Sequence, residues 1–80
     1  MGVWHTVEQY PKQIADQINK SLDELNAPLS SRERSNILSK MLHIPRQQAW
    51  SLLKGHLMPE KDLQQKIITE LEIDPKLFNK

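Results

Sequence analysis

Apolar residues recur every three or four positions along most of the chain, and no stretch alternates apolar and polar over a strand length. That spacing predicts helices and no strand. Ile14, Ala15, Ile18, Leu22 and Leu25 form a first stripe, closed by Asn26, Ala27 and Pro28. Its start has two readings, a capping box of Thr6 with Gln9 or a first turn at Pro11, and Pro11 fits better. Trp4 and Tyr10 then fall where they cover the end of a bundle.

The second helix opens on "SSRE", where Ser30 and Glu33 are spaced as a capping box. Its stripe is Ile37, Leu38, Met41 and Leu42, and it stops at "HIP", because Pro45 drives Ile44 out of helical geometry. Pro45 caps or begins a third helix, where its missing N–H costs nothing. That helix buries Ala49, Leu52 and Leu53 and ends at Gly55, a residue suited to φ > 0. Pro59 starts a fourth helix with Glu60 and Asp62 in its first turn, as the helix dipole favours, and with Leu63, Ile67, Ile68 and Leu71 as its stripe. Asp74 and Pro75 cap a last short turn that carries Leu77 and Phe78 to the core. The expected fold is therefore all-α, a small bundle of about five helices in a single domain over residues 1–80.

Eighty residues, 38% hydrophobic and 26% charged, describe a soluble globular chain with a small core and no room for a deep cleft between subdomains. Cysteine is absent, which removes disulfides and thiolate metal sites. No apolar run approaches the roughly 18 residues of a membrane span. The N-terminus lacks the layout of a signal peptide, so the cytoplasm is the expected location. "MGVWHT" matches the loose myristoylation pattern, but nothing else in the chain points to a membrane. His5, His43 and His56 are dispersed and make no convincing ligand set, so no metal site is expected. Neither a glycine-rich phosphate loop, nor H-E-x-x-H, nor a nucleophile elbow occurs. The chain is therefore read as no enzyme, with no catalytic residues, no cofactor and no small-molecule ligand.

The net charge of +1 hides an asymmetry. From Ser30 to Met58, Arg32, Arg34, Lys40, Arg46 and Lys54 face a single acid, Glu33. The remainder holds six lysines against nine acids, and no acid occurs between Glu33 and Glu60. An anionic partner requires such a segment, with chance clustering as the plainer account. The first turn of the third helix sharpens the point, since it carries Arg46, Gln47 and Gln48 where Asp or Glu would suit the dipole.

Two helices joined by a tight turn, the second short and exposed at its start, make a helix-turn-helix unit, here about residues 31–55. "LSKMLHIPRQQAWSLLKG", Leu38 to Gly55, resembles the lambda-repressor/Cro-like (XRE-type) helix-turn-helix family of phage and bacterial regulators. Leu38, Ser39, Leu42, Ile44, Ala49, Leu52 and Gly55 fall into its register without a gap. The Pro59 helix and the "DPKLF" turn sit where the family has its fourth and fifth helices, so the likeness covers about fifty of the eighty residues. Three positions depart from it. His43 stands where the turn glycine is usual, Pro45 where a Ser or Thr cap is, and Leu53 where Glu is common.

The resemblance implies a sequence-specific DNA-binding transcription regulator with the helix over residues 46–54 in the major groove of double-stranded DNA. It assigns base reading to Arg46, Gln47, Gln48 and Ser51, with Arg46 matched to guanine and the glutamines to adenine. Phosphate contacts fall to Arg34, Ser35 and Lys40 on the second helix and to Lys54 and His56 beyond. Each has a plainer reading as a solvated side chain. Trp50, one step beside the buried stripe, is expected to pack against the fourth helix; contact with a thymine methyl or sugar, or a protein interface, are its alternatives. One reading helix covers too little DNA for specificity, so a homodimer on half-sites roughly 10 base pairs apart is expected. Trp4, Tyr10 and the first helix form the preferred interface, Leu77 with Phe78 the other. The competing function is a helical protein–protein interaction module with the same fold and no DNA binding.

Overall fold

In the computed structural model the described residues are 2–78, with side chains described from residue 11 onward. They form α1 (Gly2–Glu24), α2 (Ser31–Leu42), α3 (Arg46–Lys54) and α4 (Lys61–Leu71), then a single 3₁₀ turn over Pro75–Phe78. No strand occurs among the described residues. The expected fifth helix is thus one turn only, closed by Asp74, whose carboxylate accepts the Lys76 N–H at 3.0 Å. No helix among the described residues is long and apolar enough to cross a membrane.

Two starts differ from the pattern's reading. The first helix begins at Gly2 and carries Pro11 inside it, rather than starting there. Its 23 residues, at about 1.5 Å each, account for most of the 37 Å long axis of the molecule. The side chains of Trp4 and Tyr10, and hence the preferred dimer surface, lie outside the described residues. The fourth helix begins at Lys61, with Pro59 buried just before it. Gln64 closes that start by donating from Nε2 to the Pro59 carbonyl at 2.9 Å.

One core cluster joins the elements: Ile14, Ile18 and Leu22 from α1, Leu38 and Leu42 from α2, Ala49, Leu52 and Leu53 from α3, and Leu63, Ile67 and Leu71 from α4, with Ile73 beyond it. The helical stripes meet as expected except at Ile68, which is half-buried outside the core cluster, and at Leu25, which is 60% exposed. For Leu25 the physical reason is that α1 has already ended: Ala27 N–H bonds back to the Leu22 carbonyl at 2.9 Å, and Asn26 turns at φ 60°. Leu77 and Phe78 are half-buried and pack against the core, which leaves them less available as a dimer surface.

Left-handed residues end the other helices too. His43 (φ 55°), Gly55 (φ 75°) and Glu72 (φ 53°) follow α2, α3 and α4. At His43 the turn is tied twice to Ser39, whose carbonyl accepts the Ile44 N–H at 3.1 Å while its hydroxyl donates to the Ile44 carbonyl at 2.5 Å. A small polar residue at this position therefore fixes the angle between α2 and α3. Gly55 lies against α1, where an added Cβ would stand 3.2 Å from Lys12 Cα.

Two of these positive-φ positions, His43 and Gly55, predict opposite outcomes. His43→Gly relieves a side chain from left-handed geometry and should stabilise the protein by about 0.5–1 kcal/mol after the glycine entropy cost. Gly55→Ala keeps the strained φ and meets the α1 backbone, so it should destabilise by about 1–3 kcal/mol. Urea denaturation midpoints of the two variants against wild type measure both. A loss for His43→Gly would contradict the assigned backbone geometry.

Candidate nucleic-acid interface

The α2–turn–α3 unit presents its outer side as one surface. With about 100° between successive helical residues, Ala49, Leu52 and Leu53 point inward and Gln47, Trp50, Ser51 and Lys54 outward. Arg46 leans to the α2 side, while Gln48 sits on the opposite flank and is half-buried. The first turn of α3 has Pro45 at its cap position, no side-chain cap and no acid. Its leading N–H groups are therefore free of a side-chain partner, a favourable setting for an anion.

Arg46, Gln47 and Trp50 of α3 meet Arg32 and Ser35 of α2 around an open hollow of about 430 Å³. Trp50 is 41% exposed and is not among the residues packed on the core, which corrects its expected place against α4. Lys54 folds back along the same side. Its ammonium lies 4.8 Å from the Trp50 ring centroid and donates to Ser31 Oγ at 3.1 Å. A cation over an aromatic face is attracted by the ring quadrupole, so the ring and the ammonium hold each other in place.

Among the described residues the only ion pair is Arg34 with Asp23. Arg32, Arg46, Lys40 and Lys54 thus have no carboxylate partner there. Four cations exposed along two neighbouring helices, with Glu33 the one acid on those helices, raise the local positive potential.

Two expected phosphate contacts are overturned. Arg34 is buried, and its guanidinium is taken up inside the protein. Nε donates to the Pro28 carbonyl at 2.6 Å, Nη1 to Asn19 Oδ1 at 3.0 Å and to the Asn19 carbonyl at 3.2 Å, and Nη2 to Asp23. Ser35 is 2% exposed, and its hydroxyl donates to the Arg32 carbonyl at 2.8 Å. The physical reason is register. Arg34 lies four residues before Leu38 and eight before Leu42, so it shares their inward face. Arg32, on the outer side, takes its place in the cluster. The signal was present in the same spacing, since Arg32 and Arg34 stand about 200° apart on the helix.

The remaining expected residues divide. Gln47, Arg46 and Lys54 come together with Trp50. Ser51 is half-buried on the outer side, and Lys40 and His56 are exposed but do not line the hollow. Among the described residues no group of three or more His, Asp or Glu is placed to hold a metal ion. No protein-family model, curated protein or solved structure matches this chain.

Because Arg34 is internal, it should behave as a stability residue. Arg34→Ala leaves Asn19, Asp23 and the Pro28 carbonyl without their donor and should cost about 2–3 kcal/mol. Arg34→Lys should recover only part of that, because an ammonium cannot spread donors in a planar fork. Chemical denaturation of both variants provides the measurement; a wild-type midpoint for Arg34→Ala would contradict the internal placement.

Proposed function

We propose that this protein is a sequence-specific DNA-binding regulator of the lambda-repressor/Cro-like helix-turn-helix type, with α3 entering the major groove. The observation that carries the reading is the exposed surface on which Arg32, Arg46 and Lys54 stand unpaired among the described residues, beside Gln47 at the uncapped, acid-free start of α3. Phosphates supply the negative charge that the helix start lacks. In this arrangement Arg46 and Gln47 reach base edges, while Arg32, Lys40 and Lys54 hold the backbone of the duplex. The half-buried Gln48 is placed at the margin of the contact. Two copies on a two-fold site give the specificity that one α3 cannot.

A protein-binding role has one observation in its favour, the exposure of Leu25 and Leu29 at the corner between α1 and α2, at 60% and 86%.

Binding to random duplex DNA at two salt concentrations tests the proposal. Affinity should fall steeply as salt rises. Absence of binding at low salt would overturn the proposal in favour of an interaction module. Gln47→Ala should cost about 1–3 kcal/mol on a selected site and much less on random DNA. Arg32→Ala and Lys40→Ala should weaken both duplexes by similar factors and each reduce the salt slope by about one. Equal losses on both duplexes for Gln47→Ala would make the start of α3 an anchor and not a reader.

A further inference from the structure

Trp50 has no role in the core and none in holding phosphate, yet it stands exposed on the flank of α3 that faces α2. The residue is 41% exposed and is the one aromatic among the exposed large hydrophobics of the described residues, which otherwise are Leu25, Leu29 and Met58. One ring face is covered by the Lys54 ammonium at 4.8 Å, and Lys54 is itself tethered to Ser31. Arg46, Gln47, Arg32 and Ser35 surround the hollow that the ring lines. The ring is therefore held by polar neighbours and presents its remaining apolar surface outward. No hydrogen bond from the indole occurs among the described residues, so its orientation is set by the cation and by packing.

We propose that Trp50 is a specificity-determining residue that selects thymine through its 5-methyl group. The inference rests on the duplex-reading proposal above and goes further by naming the feature of DNA that this side chain recognises. The edges of the bases in the major groove are otherwise hydrogen-bond donors and acceptors; the thymine methyl is the apolar group among them. An indole gains by covering that methyl and gains nothing comparable from cytosine, which has only a hydrogen at C5 and an amino group beside it. Gln47, three residues earlier on the same side, lies one helical turn from Trp50. The amide of Gln47 and the ring of Trp50 thus address neighbouring base pairs, one by hydrogen bonds and one by apolar contact. Lys54, pinned over the ring, brings its charge toward the backbone beside the selected base.

The test uses a duplex selected by the full chain from a random pool. Each thymine in it is replaced singly by deoxyuridine, which keeps every base-pairing group and removes only the methyl. Wild-type protein should lose about fourfold in affinity at one position per half-site, the equivalent of one buried methyl group. Trp50→Ala should bind the thymine and deoxyuridine duplexes equally while keeping its salt dependence. Trp50→Gln provides a second variant without an apolar ring, and thermal melting confirms that each is folded. Tight, site-selective wild-type binding with no sensitivity to any deoxyuridine would overturn the role of Trp50 and leave the duplex-reading proposal standing. So would a selected site without thymine, or a sensitivity that persists in both folded variants. Failure of the wild-type chain to bind any duplex would overturn both.

Discussion

The Arg34 guanidinium binds three parts of the chain at once: the α1 backbone and side chain at Asn19, the α1 carboxylate of Asp23, and the Pro28 carbonyl in the connection to α2. Asn19 extends the arrangement, since its amide nitrogen also donates to the Ala15 carbonyl at 2.9 Å and to the Leu53 carbonyl at 3.3 Å. One side-chain pair therefore connects α1, the loop, α2 and the end of α3. A buried guanidinium is costly to desolvate, and its place is tolerable only because each nitrogen has an acceptor. The same requirement makes it selective. A slip of either helix would leave a charged group buried without partners, so the contact fixes register where apolar packing alone would allow sliding.

On that frame, the outward side of α2 and α3 is left to electrostatics. The core takes Leu38 and Leu42 from one helix and Ala49, Leu52 and Leu53 from the other, and the opposite sides carry the exposed cations. Apart from Glu33 at the start of α2, the acids of the chain lie elsewhere, on α1 and from Glu60 onward. Charge separation of this kind orients an approaching anion before any contact forms. Trp50 is the exception to the polar character of the surface, and its ring is kept there by Lys54 rather than by the core.

Much of the fold was legible because the apolar stripes have a helical period and the breaks carry Pro, Gly or a cap. The positions that could not be read are those where a local rule competes with tertiary context. Pro11 is a good first-turn residue, yet α1 runs through it from Gly2. Leu25 continues the stripe of α1 by spacing, but the helix unwinds before the residue reaches the core. For the candidate surface, Arg46, Gln47 and Lys54 were named through the resemblance, and helical spacing alone places only Gln47 and Lys54 outward. Arg34 was misplaced because its charge was weighed and its register with Leu38 was not. Trp50 was ambiguous for a different reason: an indole beside a buried stripe can turn inward or out, and the cation four residues later decided it.

The nine-residue α3 is too short to be stable as an isolated helix. Its position comes from inward contacts, namely three apolar side chains, the bond from Asn19 and Gly55 against the backbone of α1, together with the Ser39 turn and the Lys54–Ser31 bond. None of these uses the outward residues Gln47, Trp50 or Ser51. Substitutions at those positions can therefore accumulate without disturbing the scaffold, and a descendant of this chain could change what it recognises while keeping its architecture. The inward half of this short helix carries the packing, and the outward half is left free of it.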